Sequence, residues 1–488
     1  MTDISKSFGA FKALDNVSLT AHAGTLHAIV GENGAGKTTL MRALYGALSP
    51  ESGSIELGGK AQHFGSSRSA IQAGVGMMSQ HPALIPDLNC LENLILGAEG
   101  GPFLKLGAVR ARAEELASRL GFRFDWNLPA GRLSPAAAQR LEVLKLLWRG
   151  ARIMILDEPT AMLSPADGEA LFGTFRRLAE EGATVLFVTH HLGDVTRYCE
   201  EVTVLRAGRL IGAMPVAQTS AFELAEMIVG RKLEPPAAYY PTLGPPLLEI
   251  SGLNAIGTPL RDAELTLREG ELLGVIGVDG NGQRELLRAI LGLQPQVTGN
   301  LRFAGRGLQH IPTGKRVQMG IRVIPEDRLA EGVVEDWNLE WNSVLGLHRL
   351  PQMVHGNLVR LGARSRAAQE IVERFGVKYS SLSMPVRSLS GGNQQRLVAG
   401  RALYPGAKLL LAFQPARGLD LLATREVYEG IRSACAAGAA AIVVGFDLDE
   451  LLANCDRLMV MSRGVLRSPP PGVERNPIVI GQMMVEAG

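Results

Sequence analysis

Two long stretches of this chain repeat one another, and a repeat has to be settled before any fold is considered. Val17-Ser18-Leu19-Thr20 is followed by AGTLHAIVGENGAGK, and Ala263-Glu264-Leu265-Thr266 by EGELLGVIGVDGNGQ. LSPAAAQR begins at Leu133 and LSGGNQQR at Leu389, while LRAGRL (205–210) returns as MSRGVL (461–466). Between the copies, residues 231–247 (RKLEPPAAYYPTLGPPL) hold five prolines and no helical period, as a linker does. The sequence therefore predicts domains at 1–232 and 247–488, joined by 233–246. The offset between copies is 246 from Gly31 to Gly277 and 256 from Ser134 to Ser390, so about ten residues are added in the middle of the second copy.

Each copy reads as α/β. LHAIV (26–30), RIMIL (152–156), TVLFV (184–188) and EVTVLRA (201–207) have the continuous apolar character of buried strands. They alternate with helical stretches such as KTTLMRALYGAL and GEALFGTFRRLAEEG, which implies a mainly parallel sheet covered on both faces. Residues from about 85 to 150 are helix-rich and form a separate lobe in this reading.

GENGAGKTT (31–39) follows the strand LHAIV and opens a helical pattern, so it fits G-x-x-x-x-G-K-[ST] in the context that motif needs. Gly31, Asn33, Gly34, Ala35, Gly36 and Thr39 then belong to an anion-binding nest of backbone N–H groups at a helix N-terminus. Lys37 is placed to reach the β- and γ-phosphates, and Thr38 to ligate Mg²⁺. RIMILDEP ends a strand in Asp157 and Glu158, at the edge where open α/β sheets bind ligands. Asp157 can hold Mg²⁺ through water, and Glu158 can polarise an attacking water.

Composition closes off other classes. A formal charge of +2 gives no electrostatic reason to seek a nucleic-acid backbone, and 5% aromatics disfavours a base-stacking surface. Cys90, Cys199, Cys435 and Cys455 are scattered, which excludes a usual zinc site and a disulfide framework and suits a reducing cytosol. The longest mostly apolar run, Ala434–Phe446, is too short to span a membrane, so work at a membrane would go through partners.

The set LSGGNQQR, phosphate loop and LDEP resembles the ATP-binding subunits of ABC transporters, over nearly the whole chain and twice. GVDGNGQ, IPEDR and QPARGLD look like the duplicated ATPases of bacterial monosaccharide and nucleoside importers. LYG (44–46), GMMSQH (76–81) and GNGQ lean toward the nucleoside branch. The resemblance implies two tandem P-loop domains, each with a mainly parallel sheet, a small antiparallel β layer and a helical subdomain. It implies ATP and Mg²⁺ as ligands, with Gln80 as the Q-loop glutamine at Mg²⁺ and the lytic water, His190 as the switch histidine, and Phe8 stacking on adenine. It implies two transmembrane permease subunits gripped beside Gln80 and Glu326, and an extracytoplasmic solute-binding protein. The place of work would be the cytoplasmic face of the inner membrane, held peripherally.

The register then compares the copies. Lys37, Thr38 and Gln80 become Gln283, Arg284 and Glu326; Asp157, Glu158 and His190 become Phe413, Gln414 and Phe446. The second copy has no aromatic in Leu253–Leu260 for adenine and should not hydrolyse ATP by itself. Conversely, Ser134-Pro135-Ala136-Ala137 stands where Ser390-Gly391-Gly392-Asn393 is intact. Pro135 removes an N–H donor and Ala136 adds a Cβ, both against close approach to a phosphate. In the ABC family each ATP lies between one phosphate loop and the opposite signature loop. The copies would thus pair head to tail within the chain and build one complete site. Rival readings are a soluble tandem ABC protein acting in translation, against which the short Pro-rich linker speaks, and a scaffold without turnover, against which Glu158 and His190 speak.

One expectation concerns the start of the chain. LLEISGL (247–253) precedes the first shared segment of the second copy, whereas the first copy begins at Ile4. About one strand of the first β layer is expected to be missing, through a late start or a trimmed layer.

Overall fold

In the first copy the apolar runs become a six-stranded sheet, ordered Arg209–Pro215, Glu201–Arg206, Leu26–Val30, Thr184–Val188, Ile153–Asp157, Val75–Met78. All neighbours are parallel except the edge pair Glu201–Arg206 and Arg209–Pro215. The computed structural model describes residues 1–79, 83–98, 105–160, 163, 165–189, 191–232, 242–355 and 358–485. It divides into two compact units, Met1–Pro235 and Pro236–Gly488. Leu26–Val30 and Thr184–Val188 are buried at every position, which is why neither alternates polar with apolar. One face meets an antiparallel layer through Ile4, Leu14, Ile29, Ile155 and Leu186; the other meets helices through Val30, Phe172, Phe175 and Phe187. Each such fully buried side chain contributes roughly 1.5–3 kcal/mol.

The antiparallel layer corrects the expectation of a missing strand. Its order is Phe11–Val17, Thr2–Phe8, Ser52–Leu57, Lys60–Gln62, and Thr2–Phe8 is paired on both sides. The second unit has the same four strands, with Pro246–Ala255 in that place. The strand is shortened, from ten residues to seven, and keeps its buried Ile4, which packs as Ile250 does.

Residues between Met78 and Ile153 contribute the helices Cys90–Ile95, Leu106–Arg119 and Pro135–Trp148, and no strand among the described residues. The loop leading into the first of them is caged by one buried side chain. Asn93 Nδ2 donates to Ile85 O (3.0 Å), Leu88 O (3.0 Å) and Asn89 O (3.1 Å), and its Oδ1 accepts from the Ile85 N–H at 2.8 Å. Asn342 repeats all four bonds with Val334, Trp337 and Asn338. Four satisfied bonds are what permit an amide to be fully buried.

The second unit repeats the strand order: Ile321–Ile324, Leu409–Phe413, Ala440–Gly445, Leu272–Ile276, Arg457–Ser462, Val465–Arg467. Its extra length is not one block. The offset is 249 at the capping asparagines (338 minus 89), 255 at the next helix starts (361 minus 106) and 256 at the bridge prolines (385 minus 129). The first increment contains the turn Arg328–Gly332 and the second the hairpin strands Val354–His355 and Leu358–Val359.

Candidate active site

Three strand ends carry the site of the first unit. Leu26–Val30 leads into the phosphate loop and Ile153–Asp157 into Glu158, with Thr184–Val188 between them. The ends are laced together: Thr189 N–H donates to Ile29 O (3.3 Å) and Glu158 N–H to Val188 O (2.9 Å). Asn33 and Gly34 are exposed at the loop tip, while Ala35, Gly36 and Lys37 are buried. The helix Lys37–Leu44 starts at Gly36, whose φ of 100° suits glycine, and whose Cβ would lie 2.7 Å from Ala13 O.

Lys37 is the buried cation of the site. Its ammonium donates to Gly31 O (2.6 Å) and Glu32 O (3.0 Å), bridging the loop it follows. Burial holds its pKa below the ordinary lysine value, and the charges of Glu158, Asp157 and Glu32 oppose that. Burial raises the Asp157 carboxyl, as does Glu158, against Lys37 and Arg42. Lys37, Asp157 and Glu158 therefore act on one another's charge. Thr38 and Thr39 follow on the first helical turn, half-buried. The donors that Thr38 and Asp157 offer are hydroxyl and carboxylate oxygens, which fit a hard divalent cation. Gln80 and His190 lie outside the described residues.

Glu158 also has an unusual backbone. Its φ is 48°, in the left-handed region, and it precedes a proline, which disfavours helical backbone further. Such a residue costs on the order of 1–3 kcal/mol and persists where its surroundings fix it. Gln414, its counterpart, has φ 45° and also precedes a proline.

Phe8 closes a hairpin opposite Phe11, and its ring is 53% exposed. Phe11 is exposed further, at 61%. The sequence reading singled out Phe8 alone; the F-G-A-F spacing around the Gly9 turn was the signal for the second ring.

In the second unit the matching positions hold different chemistry. Gln283 is buried and donates through Nε2 to Val278 O at 3.0 Å, spanning its loop as Lys37 does, without the charge. Arg284, in place of Thr38, pairs with Glu326 at 2.5 Å. A paired guanidinium thus stands on the helix turn where the first unit has the hydroxyl of Thr38. Phe413 and Phe446 pack edge to face, centroids 5.8 Å apart.

The signature segments differ in the opposite sense. Ser390 caps the helix Gly391–Ala402, and its Oγ accepts from Asn393 Nδ2 at 2.9 Å. Asn393 Oδ1 accepts from the Lys378 N–H at 2.8 Å. A Cβ on Gly391 would sit 2.5 Å from Nη2 of Arg328, whose Nε donates to Gln394 Oε1 at 3.3 Å. Arg328 therefore underlies the signature glycine, a contact that the IPEDR motif does not reveal by itself. Ser134 caps Pro135–Trp148 in the same way, with Pro135 at the first helical position. Proline is at home there, so the helix is intact; what changes is a lost N–H donor at Pro135 and an added Cβ at Ala136.

The chain matches the ABC transporter family over residues 14–161 and 260–416, once in each unit. It belongs to that family. Each ABC cassette of the chain thus carries its own match. A ribose import ATP-binding protein RbsA 2 of Burkholderia cenocepacia (strain HI2424) is 36% identical over 98% of this chain and 95% of its own. One of Streptomyces coelicolor, also RbsA 2, is 37% identical over 94% and 89%. These relatives are named for ribose, so the lean of residues 44–46 and 76–81 toward the nucleoside branch is not followed by them. Two solved structures share the tandem fold at low identity. "RNase-L Inhibitor" gives a TM-score of 0.67 at 19% identity, covering 98% of this chain and 93% of its own. The archaeal ribosome recycling factor aABCE1, in complex with stalk protein aP1, gives 0.64 at 20%, covering 94% and 87%.

Proposed function

We propose that this chain is the ATP-hydrolysing subunit of an importer for a monosaccharide, with one hydrolytic site shared between its two cassettes. The observation that carries the reading is complementary loss. The first cassette keeps Lys37, Thr38, Asp157 and Glu158 beside a signature with Pro135 and Ala136; the second keeps Ser390, Gly391 and Gly392 beside Gln283, Arg284, Phe413 and Gln414. Neither cassette is complete alone, and head-to-tail pairing of the two would complete one site. Two compact units support the division at 1–232, 233–246 and 247–488.

In this site Gly31, Asn33, Gly34, Ala35, Gly36 and Thr39 cradle the phosphates of ATP, and Lys37 supplies charge to them. Thr38, Asp157 and Gln80 would hold Mg²⁺, which offsets phosphate charge when bound. Glu158 would accept the proton of the attacking water, with His190 as the switch histidine for the γ-phosphate. Phe8 stacks on adenine, and Ser390, Gly391, Gly392 and Asn393 close from the other cassette. ATP binds the closed state better than the open one, so hydrolysis reopens it.

The relatives' names support a sugar as cargo; in this reading the partners would be two permease subunits, with an extracytoplasmic solute-binding protein upstream. Among the described residues no helix is long and apolar enough to cross a membrane. As an importer's ATP-binding subunit the chain would work peripherally, on the cytoplasmic face of the membrane. The test is affinity capture of the tagged chain from gently solubilised native membranes, followed by mass spectrometry. Two polytopic proteins should accompany it, and labelled ribose uptake should stop on Glu158→Gln. Recovery with ribosomal proteins and no polytopic partner would overturn the reading in favour of a role in translation.

A further inference from the structure

The strained turn after Asp157 needs something to hold it, and the structure shows what does. Gln139 lies on the helix Pro135–Trp148, is 6% exposed, and donates from Nε2 to the carbonyl of Pro159 at 2.6 Å. A carbonyl only accepts, so this contact fixes which end of the amide is the donor. Its Oε1 meets no donor among the described residues, so the side chain is spent on that one bond. On the other side of the turn, Glu158 N–H donates to Val188 O at 2.9 Å. The Glu158-Pro159 pair is thus gripped at both ends, by a strand behind and by Gln139 in front.

The second unit repeats the device. Gln395 donates to Pro415 O at 2.9 Å, and Gln414 N–H donates to Val444 O at 2.7 Å. There the gripped residue is an amide rather than a carboxylate. In the first unit, moreover, Gln139 stands on a helix whose signature glycines are replaced, so its place is not explained by a phosphate contact at that helix start.

We propose that Gln139 is a positioning residue for hydrolysis: it locks the left-handed, pre-proline backbone of Glu158 and so aims the carboxylate. The proposal rests on reading Glu158 as the hydrolytic base. The bond also ties the helical lobe to the catalytic strand end, so a shift of the lobe would reach Glu158 through one side chain.

The test uses the full chain and Gln139→Met, which keeps length and volume and removes the donor. The kcat for ATP should fall at least tenfold, while KM and the affinity for a fluorescent ATP analogue stay within about twofold, since nothing that touches nucleotide has changed. Gln395→Met removes the same bond from the unit without the carboxylate. It should lower the melting temperature by a similar amount and kcat by less than threefold. Should methionine pack badly, Gln139→Asn keeps the amide but draws it back by one methylene, and should give the same kcat-only loss on a smaller scale. A kcat within twofold of the parent for both Gln139 variants, with Glu158→Gln inactive, overturns the clamp and leaves the hydrolytic reading standing. Equal losses of kcat in Gln139→Met and Gln395→Met reduce the bond to a structural one and also overturn it. Full hydrolysis by Glu158→Gln overturns both.

Discussion

The loops that begin at Gly31 and Gly277 follow nearly the same backbone and hold opposite chemistry. Gly36 and Gly282 cap their helices at φ 100° and 108°, and Glu158 and Gln414 sit at 48° and 45°. In each loop the residue after the capping glycine reaches back to a loop carbonyl, Lys37 with a charge and Gln283 without one. The second loop adds the Arg284–Glu326 pair. The comparison teaches that the backbone of such a loop is fixed by strand, turn and helix packing, and does not need the lysine. Side-chain charge, and not loop shape, is what separates the two.

The largest effect that could break this comparison is at the carboxylate position. Glu158→Gln should lower ATP turnover by about 10²–10⁴-fold, the scale of a general base, whereas Gln414→Glu should add none; steady-state phosphate release decides. Any gain from Gln414→Glu would mean that the second loop still handles nucleotide productively. Next, Lys37→Ala should weaken ATP binding by roughly 1.5–3 kcal/mol, the range of a hydrogen bond to a charged group, measured by calorimetry with the hydrolysis-deficient chain. Gln283→Ala should leave that affinity unaltered. A smaller loss, about 1–3 kcal/mol in nucleotide affinity, is expected for removing a stacking ring, Phe8→Ala. If Phe11→Ala gives the loss instead, the second exposed ring of the hairpin is the adenine platform. Smallest is Arg284→Ala. Its ion pair is half exposed on the arginine side, so thermal unfolding should register a change of about 0–1 kcal/mol. A larger destabilisation would show that the guanidinium replaces a cation the second loop cannot do without.

Much of the fold was legible because the apolar runs are continuous. LHAIV and TVLFV became strands with the expected ends, and RIMIL moved by one residue. The phosphate loop and LDEP were legible because their spacing is tied to strand ends, which bring Lys37, Asp157 and Glu158 into one electrostatic group. The strand Thr2–Phe8 was not, since irregular pairing breaks its two-residue period and its burial falls on the adjacent Ile4 and Ser5. The Asn93 and Asn342 cages were not legible either, because each amide serves carbonyls of a loop that has no pattern of its own. Arg284 and Glu326 are legible only as the counterparts of Thr38 and Gln80, yet, 42 residues apart, they form a pair that only the fold could bring together. Arg328 beneath Gly391 is a contact of the same kind.

The asparagine cages have a consequence for where such a protein can be lengthened. Both run across eight positions, from Ile85 to Asn93 and from Val334 to Asn342, and one residue inserted early in either loop would break the two bonds to Ile85 or to Val334. The ten extra residues of the second copy accordingly fall before, between and after the caged and helical pieces. Val344, Leu347, Leu350 and Met353 lock the stretch after the second cage into the core, whereas Leu358 on the small hairpin is 77% exposed; a short epitope or a dye belongs on that hairpin, and the caged loops keep their length.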